Sequence, residues 1–406
     1  MDYEAFLAEK ISELKVNGQY RTFQTINRIK GAYPEAYTEG FKKKVVVWCS
    51  NDYLNMSQHP DVIYAMHEAI ENYGAGSGGS RNIGGTHSYF EKLESSIADW
   101  HGKEAALVFP TGYSSNDATI QCLLTLFKDC IVFSDALNHA SIINGLRSPA
   151  IEKRIFRHND IVDLERLLSK EPFERAKMII FESVYSMDGD IAPVKEIVEI
   201  AKKYNALVYL DEVHAIGMYG PKGAGISAQL GIADQIDIIQ GTMAKAIGII
   251  GGYIAGNSLM IDAIRSFASG FIFTTSLPPV ITAACYTSIQ HLKKSSVERE
   301  KLHQKTFLLR TVLRKKRINV MSASTTHILP VLIGDAKKCK AAAQYLLNHK
   351  AIYLQPINYP TVPIGTERFR VNVTPHHSEA QIYALADALE EVFYKFDVPF
   401  LKEAAF

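Results

Sequence analysis

A chain of 406 residues is too long for one simple core, so two or more subdomains are expected. Its 47% hydrophobic and 21% charged residues are those of an ordinary soluble globular protein. A formal charge of +1 gives no reason to expect nucleic acid or another acidic polymer as partner.

The start, Met1-Asp2-Tyr3-Glu4-Ala5-Phe6, lacks the basic and apolar regions of a secretion signal, and no stretch has the length of apolar residues that a membrane span requires. Cys49, Cys122, Cys130, Cys285 and Cys339 are scattered, without a C-x-x-C or a His pair at metal spacing. The expectation is a cytoplasmic protein with reduced thiols, no membrane and no metal.

In chain order, residues 2–17 carry Phe6, Leu7, Ile11 and Leu14 at helical spacing and stop at Gly18. Gln19-Tyr20-Arg21-Thr22-Phe23 lies outside the main pattern. Arg21 is either a surface residue or a cation reaching over a pocket to an anion. Val45–Cys49 reads as a strand and Ser50-Asn51-Asp52-Tyr53-Leu54 as the polar turn after it. Asp61 to Tyr73 reads as an amphipathic helix. The following Gly74–Gly85 holds a formal G-x-G-x-x-G, yet a helix precedes it where a dinucleotide site needs a strand. A Rossmann site is therefore rejected. The glycines there let backbone approach a ligand closely, or stay mobile.

Glu91 to Trp100 is helical, and Ala105–Phe109 is a strand. Pro110-Thr111-Gly112-Tyr113-Ser114-Ser115-Asn116 then opens a helix to about Leu126. This is either a phosphate cradle of amides and hydroxyls or an ordinary capped helix. From Ile131 the βα alternation becomes regular. Apolar runs end in Ser134-Asp135 with His139 beyond, in Glu182-Ser183 with Ser186 beyond, and in Asp211-Glu212 with His214 beyond. Helices (Asp163–Leu168, Val194–Tyr204) lie between. Such a parallel sheet is buried on both faces and binds ligands at the carboxyl ends of its strands.

Ile236-Asp237-Ile238-Ile239 leads into Gln240-Gly241-Thr242-Met243-Ala244-Lys245, and another strand follows at Gly251–Gly256. A lysine between two core elements is expected to be buried, since desolvation makes a usable amine that forms a Schiff base with pyridoxal phosphate. On this stretch alone a surface lysine is the commoner reading. With it, Asp211 would keep a pyridine nitrogen protonated and His139 would stack on the ring. His214 and Ser186 would face its phenolic oxygen. Thr242 and the Thr111–Tyr113 turn would hold the phosphate. Beyond Asp262 the chain turns helical, with a hydroxyl-rich loop at Thr274-Thr275-Ser276 before a helix near 280–293. After about 295 the pattern is α+β: a charged helix (298–316), strands near Ile328–Leu332 and Phe369–Val373, and a helix at 379–394. The organisation expected is an N-terminal segment (1–50) over the active site, a large cofactor-binding domain (51–295) and a C-terminal α+β domain (296–406).

The chain resembles the α-oxoamine synthases. The resemblance is carried by Tyr20–Phe23, Trp48–Leu54, Gly76–Ile83, Ser134–Ser141, Phe181–Asp190, Asp211–Gly217, Thr274–Pro279 and Gln355–Pro363, in order across nearly the whole length. It implies an α/β fold of pyridoxal phosphate fold-type I, with a mostly parallel central sheet, helices on both faces and a smaller C-terminal domain. It implies pyridoxal 5′-phosphate as cofactor and a decarboxylative condensation of glycine with succinyl-CoA in a homodimer with shared active sites. Lys245, Asp211 and His139 would be catalytic. His214, Ser186, Thr242, Thr111, Gly112 and Tyr113, with Thr274 and Thr275 of the other subunit, would bind cofactor. Asn51 and Arg370 would hold the glycine carboxylate, with Ser80 beside the α-carbon. Arg21 and Thr361 would hold the succinyl carboxylate, and Ser134, Lys153 and Asn82 would line the acyl-CoA site. Another acyl-CoA or small amino acid is the alternative substrate pair. A catalytically dead binding subunit would have lost Lys245 or Asp211, and both are present.

Overall fold

The computed structural model describes residues 1–38, 43–148 and 151–401. Chain order begins with α1 (Tyr3–Val16), capped by Asp2 accepting the Ala5 N–H. The Phe6, Leu7, Ile11 and Leu14 stripe is exposed, and no residue of α1 is buried. Antiparallel β1 (Ile26–Arg28), β2 (Glu35–Thr38) and β3 (Lys44–Val47) follow.

The middle of the chain alternates helix and strand: α2 (Pro60–Tyr73), α3 (Ser88–His101), β4 (Ala105–Phe109), α4 (Gly112–Leu126), β5 (Ile131–Asp135), α5 (Ala140–Gly145), β6 (Lys153–Phe156), α6 (Ile161–Leu168), β7 (Lys177–Glu182), α7 (Val194–Lys203), β8 (Leu207–Asp211), α8 (Ile226–Gln229), β9 (Ile238–Thr242), β10 (Gly252–Gly256), α9 (Ser258–Phe267), α10 (Ser269–Ile272) and α11 (Pro279–Lys294). After α12 (Val297–Lys315) come β11 (Ile328–Leu332), α13 (Ala336–Lys350), β12 (Ile352–Tyr353), β13 (Pro356–Ile357), β14 (Arg368–Asn372) and α14 (Glu379–Lys395).

These elements form two compact units. One comprises Met1–Ser50, Met187–Asp190 and Glu300–Phe406, the other Asn51–Ser186 and Ile191–Arg299. The second is built on a seven-stranded sheet of order β4-β10-β9-β8-β7-β5-β6. β6, β5, β7, β8 and β9 run parallel, as the alternating pattern requires. β10 runs antiparallel to both β9 and β4, so the sheet is mixed rather than wholly parallel. Every residue of β5, β7, β9 and β10 is buried, which explains why these strands read as continuous apolar runs instead of alternating ones. One core cluster joins Leu107, Ile120, Val132, Ile180, Tyr209 and Phe271.

The first unit carries a four-stranded sheet, β1-β2-β3-β12, and a three-stranded one, β11-β14-β13. Among the described residues no helix is long and apolar enough to cross a membrane.

Candidate active site

The carboxyl ends of the parallel strands open into a cavity of about 180 Å³. Gly112, Tyr113, Asn116, His139, Ser141, Glu182, Asp211, Val213, His214, Thr242, Ala244 and Lys245 line it. It therefore collects residues from the turns after β4, β5, β7, β8 and β9, as expected for polar groups at strand ends.

Asp211, the last residue of β8, is 4% exposed. Its Oδ2 accepts from Asn116 Nδ2 and its Oδ1 from the Val213 N–H, both at 2.9 Å. Burial pushes its carboxyl above the ordinary carboxylate range, and these two donors offset part of that rise. The neighbouring Glu212 is absorbed elsewhere: it accepts from Ser183 Oγ at 2.7 Å and from the N–H groups of Ile226 (3.0 Å) and Ser227 (2.8 Å). Asp211 is thus the carboxylate of the pair that faces the cavity.

Asn116 ties this carboxylate to the imidazole opposite. Its amide oxygen accepts from Tyr209 Oη (2.8 Å), which directs Nδ2 towards Asp211 and Ser141 Oγ (3.0 Å). Ser141 Oγ donates to His139 Nδ1 at 2.8 Å, and the Ser141 N–H points at the same nitrogen (3.2 Å). Nδ1 is therefore the acceptor and Nε2 carries the hydrogen. Burial, seconded by the Lys245 charge, lowers the His139 pKa to about 4, so the ring is neutral at pH 7. Its backbone N–H donates to Glu182 Oε1 at 2.6 Å.

His214 is 4% exposed. Its Nδ1 lies 2.9 Å from Tyr53 Oη, whose hydroxyl donates to Asn51 Oδ1 at 3.2 Å; the phenol oxygen thus remains to accept from the imidazole.

The lysine stands on the connection from β9 to β10. That connection is closed on itself: Met243 N donates to Gly251 O, Ile249 N to Met243 O and Gly248 N to Lys245 O, each at 2.8 Å. Thr242 Oγ1 adds a bond to Gly251 O at 2.8 Å. Lys245 itself is half-buried, which corrects the expectation of a fully buried amine; the loop opens into the cavity instead of threading the core.

Gly112 begins α4, which Thr111 caps in a reciprocal box with Ser114. A Cβ on Gly112 would meet Thr242 Oγ1 at 2.9 Å, so glycine is what lets the helix N-terminus approach Thr242.

Ser186, Thr111, Thr274 and Thr275 are not among the residues lining this cavity. Ser186 is half-buried beyond β7. Thr274 Oγ1 donates to Gly270 O (2.7 Å), and exposed Thr275 forms an isolated bridge with half-buried Ser80. Asn51 and Asn82 are exposed. Ser134 is buried in β5, accepting from Asn138 Nδ2 at 2.9 Å; Lys153 Nζ donates to Leu146 O at 2.6 Å.

In the other unit, Arg21 Nη2 donates to Thr361 Oγ1 at 3.2 Å, on the wall of a cavity of about 220 Å³ that Tyr20, Gln355, Asn358 and Tyr359 also line. Arg370 sits in β14, 8% exposed. Outside both cavities, His59, His291 and Glu298 place potential ligand atoms within 4.8 Å of one another, a grouping no spacing in the sequence announces.

Sequence reasoning gave no role to Asn116, Ser141, Glu182 or Tyr53. The signal was present, since each lies inside a quoted strand-end motif, but which side chains bond across the cavity depends on the register of β5, β7 and β8.

The model of the aminotransferase class I and II family matches residues 43–389. The chain is 49% identical over 401 residues to 5-aminolevulinate synthase of Bradyrhizobium diazoefficiens, covering 98% of each. It is 50% identical over 397 residues to 5-aminolevulinate synthase of Rhodobacter capsulatus, covering 96% of each. Among solved structures, a serine palmitoyltransferase variant from S. paucimobilis with bound PLP and myriocin superposes with a TM-score of 0.91, at 32% identity over 98% of this chain and 100% of that one.

Proposed function

The chain belongs to the 5-aminolevulinate synthases, within the aminotransferase class I and II family, and from that premise we infer what each residue of the cavity does. The reaction is the condensation of glycine with succinyl-CoA to 5-aminolevulinate, CoA and carbon dioxide, the first step of tetrapyrrole (haem) formation, and the cofactor is pyridoxal 5′-phosphate. The cavity suits this group: a neutral imidazole, a buried carboxylate held by neutral donors, and a glycine-opened helix N-terminus beside Thr242 surround one amine. That convergence carries the reading.

When bound, pyridoxal phosphate supplies an aldehyde for an amine to hold and a ring that draws electrons from the α-carbon of the amino acid. Lys245 Nζ is the amine that holds it and the base that takes the pro-R proton of glycine. Asp211 keeps a negative charge opposite the ring nitrogen. His139 offers its neutral face for stacking, and His214, fixed by Tyr53, and Ser186 serve the phenolic oxygen. Gly112, Tyr113 and Thr242 receive the phosphate, with Thr111 shaping the helix end. Asn51 and Arg370 take the glycine carboxylate. Arg21, already bonded to Thr361, takes the free carboxylate of the succinyl group, for which a guanidinium and a hydroxyl are suited. Ser134, Lys153 and Asn82 serve the acyl-CoA.

The enzyme works as a homodimer in which Thr274 and Thr275 complete the partner's phosphate site. Phe273, 84% exposed beside these hydroxyls, and the unburied α1 support that arrangement as surfaces for a second subunit to cover. The location proposed is the cytoplasm, which suits five unpaired cysteines.

Lys245→Ala tests the core of the reading. It should abolish 5-aminolevulinate formation while still binding the cofactor non-covalently. Near-normal turnover would overturn the assignment.

A further inference from the structure

One titratable wall of the cavity has no role in the chemistry above. Glu182 ends β7, is 3% exposed and lines the cavity. In the parallel pairing of β7 with β8 it stands opposite Asp211, so two carboxyls occupy neighbouring strand ends in a dry site. Facing them are Lys245, His139, Asp135 and Tyr185. Two adjacent carboxyls without full compensation share a proton. Their donors decide where it rests. Asp211 accepts two hydrogen bonds, from Asn116 and Val213; Glu182 accepts one, from the His139 N–H. The charge belongs on Asp211 and the proton on Glu182. Burial and the Asp211 charge both push the Glu182 carboxyl well above the usual carboxylate range, in the same direction.

We propose that Glu182 is a positioning residue of the condensation: in its neutral form its carbonyl oxygen anchors the His139 N–H, setting the ring that stacks on the cofactor, and it leaves Asp211 the one negative charge at the ring nitrogen. The inference rests on the roles assigned to Asp211 and His139. It adds that the acid must be neutral, so a charge-free isostere should replace it.

The test compares Glu182→Gln and Glu182→Ala with the native enzyme, each as apoprotein and loaded with pyridoxal phosphate. Infrared spectra at pH 7 should show a protonated-carboxyl stretch in the native protein that vanishes in Glu182→Gln. The glutamine amide oxygen accepts the same N–H, so cofactor affinity and kcat should stay within about threefold of native. Glu182→Ala removes the anchor. It should weaken cofactor binding and kcat by about tenfold or more, with the visible band of the bound cofactor displaced and the KM for glycine little changed. The proposal is overturned if the carboxyl stretch is the same in native protein and Glu182→Gln, or if Gln loses as much as Ala. Should Glu182→Ala fail to fold, the infrared comparison of native and Gln still decides. Full activity in Asp211→Asn would instead undo the Asp211 assignment, a failure the Glu182 band does not share.

Discussion

Removing the amide of Asn116 gives the sharpest quantitative test of the cavity's electrostatics. Asn116→Ala deletes the 2.9 Å bond to Asp211 Oδ2 and leaves Val213 N–H as that carboxylate's one neutral donor. A hydrogen bond to a charged group is worth about 1.5–3 kcal/mol, and each pKa unit is about 1.4 kcal/mol. Burial already raises the Asp211 carboxyl, and Asn116 is the first counterweight to that rise. Its loss should therefore raise the Asp211 pKa by about one to two units. If ionised Asp211 is required, the acid limb of the kcat/KM profile for glycine moves to higher pH by the same amount. Tyr209→Phe is the control. It removes the 2.8 Å bond to the amide oxygen but leaves Asp211 its donor, so its acid limb should stay in place. An acid limb that does not move in Asn116→Ala, or moves as far in Tyr209→Phe, would refute this account of how Asp211 stays charged.

Gly112→Ala places a methyl 2.9 Å from Thr242 Oγ1, in a buried contact that has to shift, so pyridoxal phosphate should bind about tenfold more weakly and the apoprotein should lose about 1–3 kcal/mol of stability, read as a lower melting temperature. Unchanged affinity would remove Gly112 from the phosphate cradle. Arg21→Leu should raise the KM for succinyl-CoA about ten- to a hundredfold, well beyond that for glycine, and narrow the preference over butyryl-CoA; an unaltered preference would take Arg21 out of the acyl site. Ser80→Thr should raise the glycine-to-alanine ratio of kcat/KM and Ser80→Ala should lower it, one methyl being worth about 1–3 kcal/mol of discrimination; equal ratios in all three proteins would show that Ser80 does not gate the pocket. His377 is buried, stacks on Trp48 and is held neutral, its pKa lowered by burial to about 3. The unfolded chain takes that proton first, so the stability His377 confers is complete above about pH 6.5 and falls by up to about 1.4 kcal/mol per pH unit below it. The urea midpoint of His377→Gln should decline less steeply between pH 7 and 5 than that of the native protein, and parallel declines would refute the assignment.

The strand-end residues were legible because a doubly covered sheet leaves two marks in a sequence: unbroken apolar runs and polar residues where those runs stop. Ala105–Phe109 and the helix reaching Leu126 are found at the expected bounds. Strand direction left no such mark. Gly252–Gly256 is as apolar as its neighbours, and only its pairing shows it antiparallel to β9 and β4. α13 (Ala336–Lys350) carries its buried stripe, Cys339, Ala342, Ala343 and Leu346, at helical spacing, but small residues make up most of that stripe and lysines surround it, so it stands out weakly in the sequence. Asn116, Ser141 and Glu182 escaped notice for another reason. Hydrogen-bonding side chains at strand ends are common, and what separates these three is the set of partners that three-dimensional register brings to them.

The closed connection between β9 and β10 has a kinetic consequence. Its backbone bonds at Met243, Gly248 and Ile249 pin the Cα of Lys245, while the long side chain beyond it reaches into the cavity. An amine that must first grip one atom and then accept a proton from another can travel by rotation about side-chain bonds, without any loop opening. Rotamer exchange takes picoseconds to nanoseconds, whereas typical turnover is about 1–1,000 per second. The swing of Lys245 is therefore too fast to be the slow step, and substitutions that stiffen or loosen the neighbouring loop backbone should alter how the amine is aimed, not how often it moves.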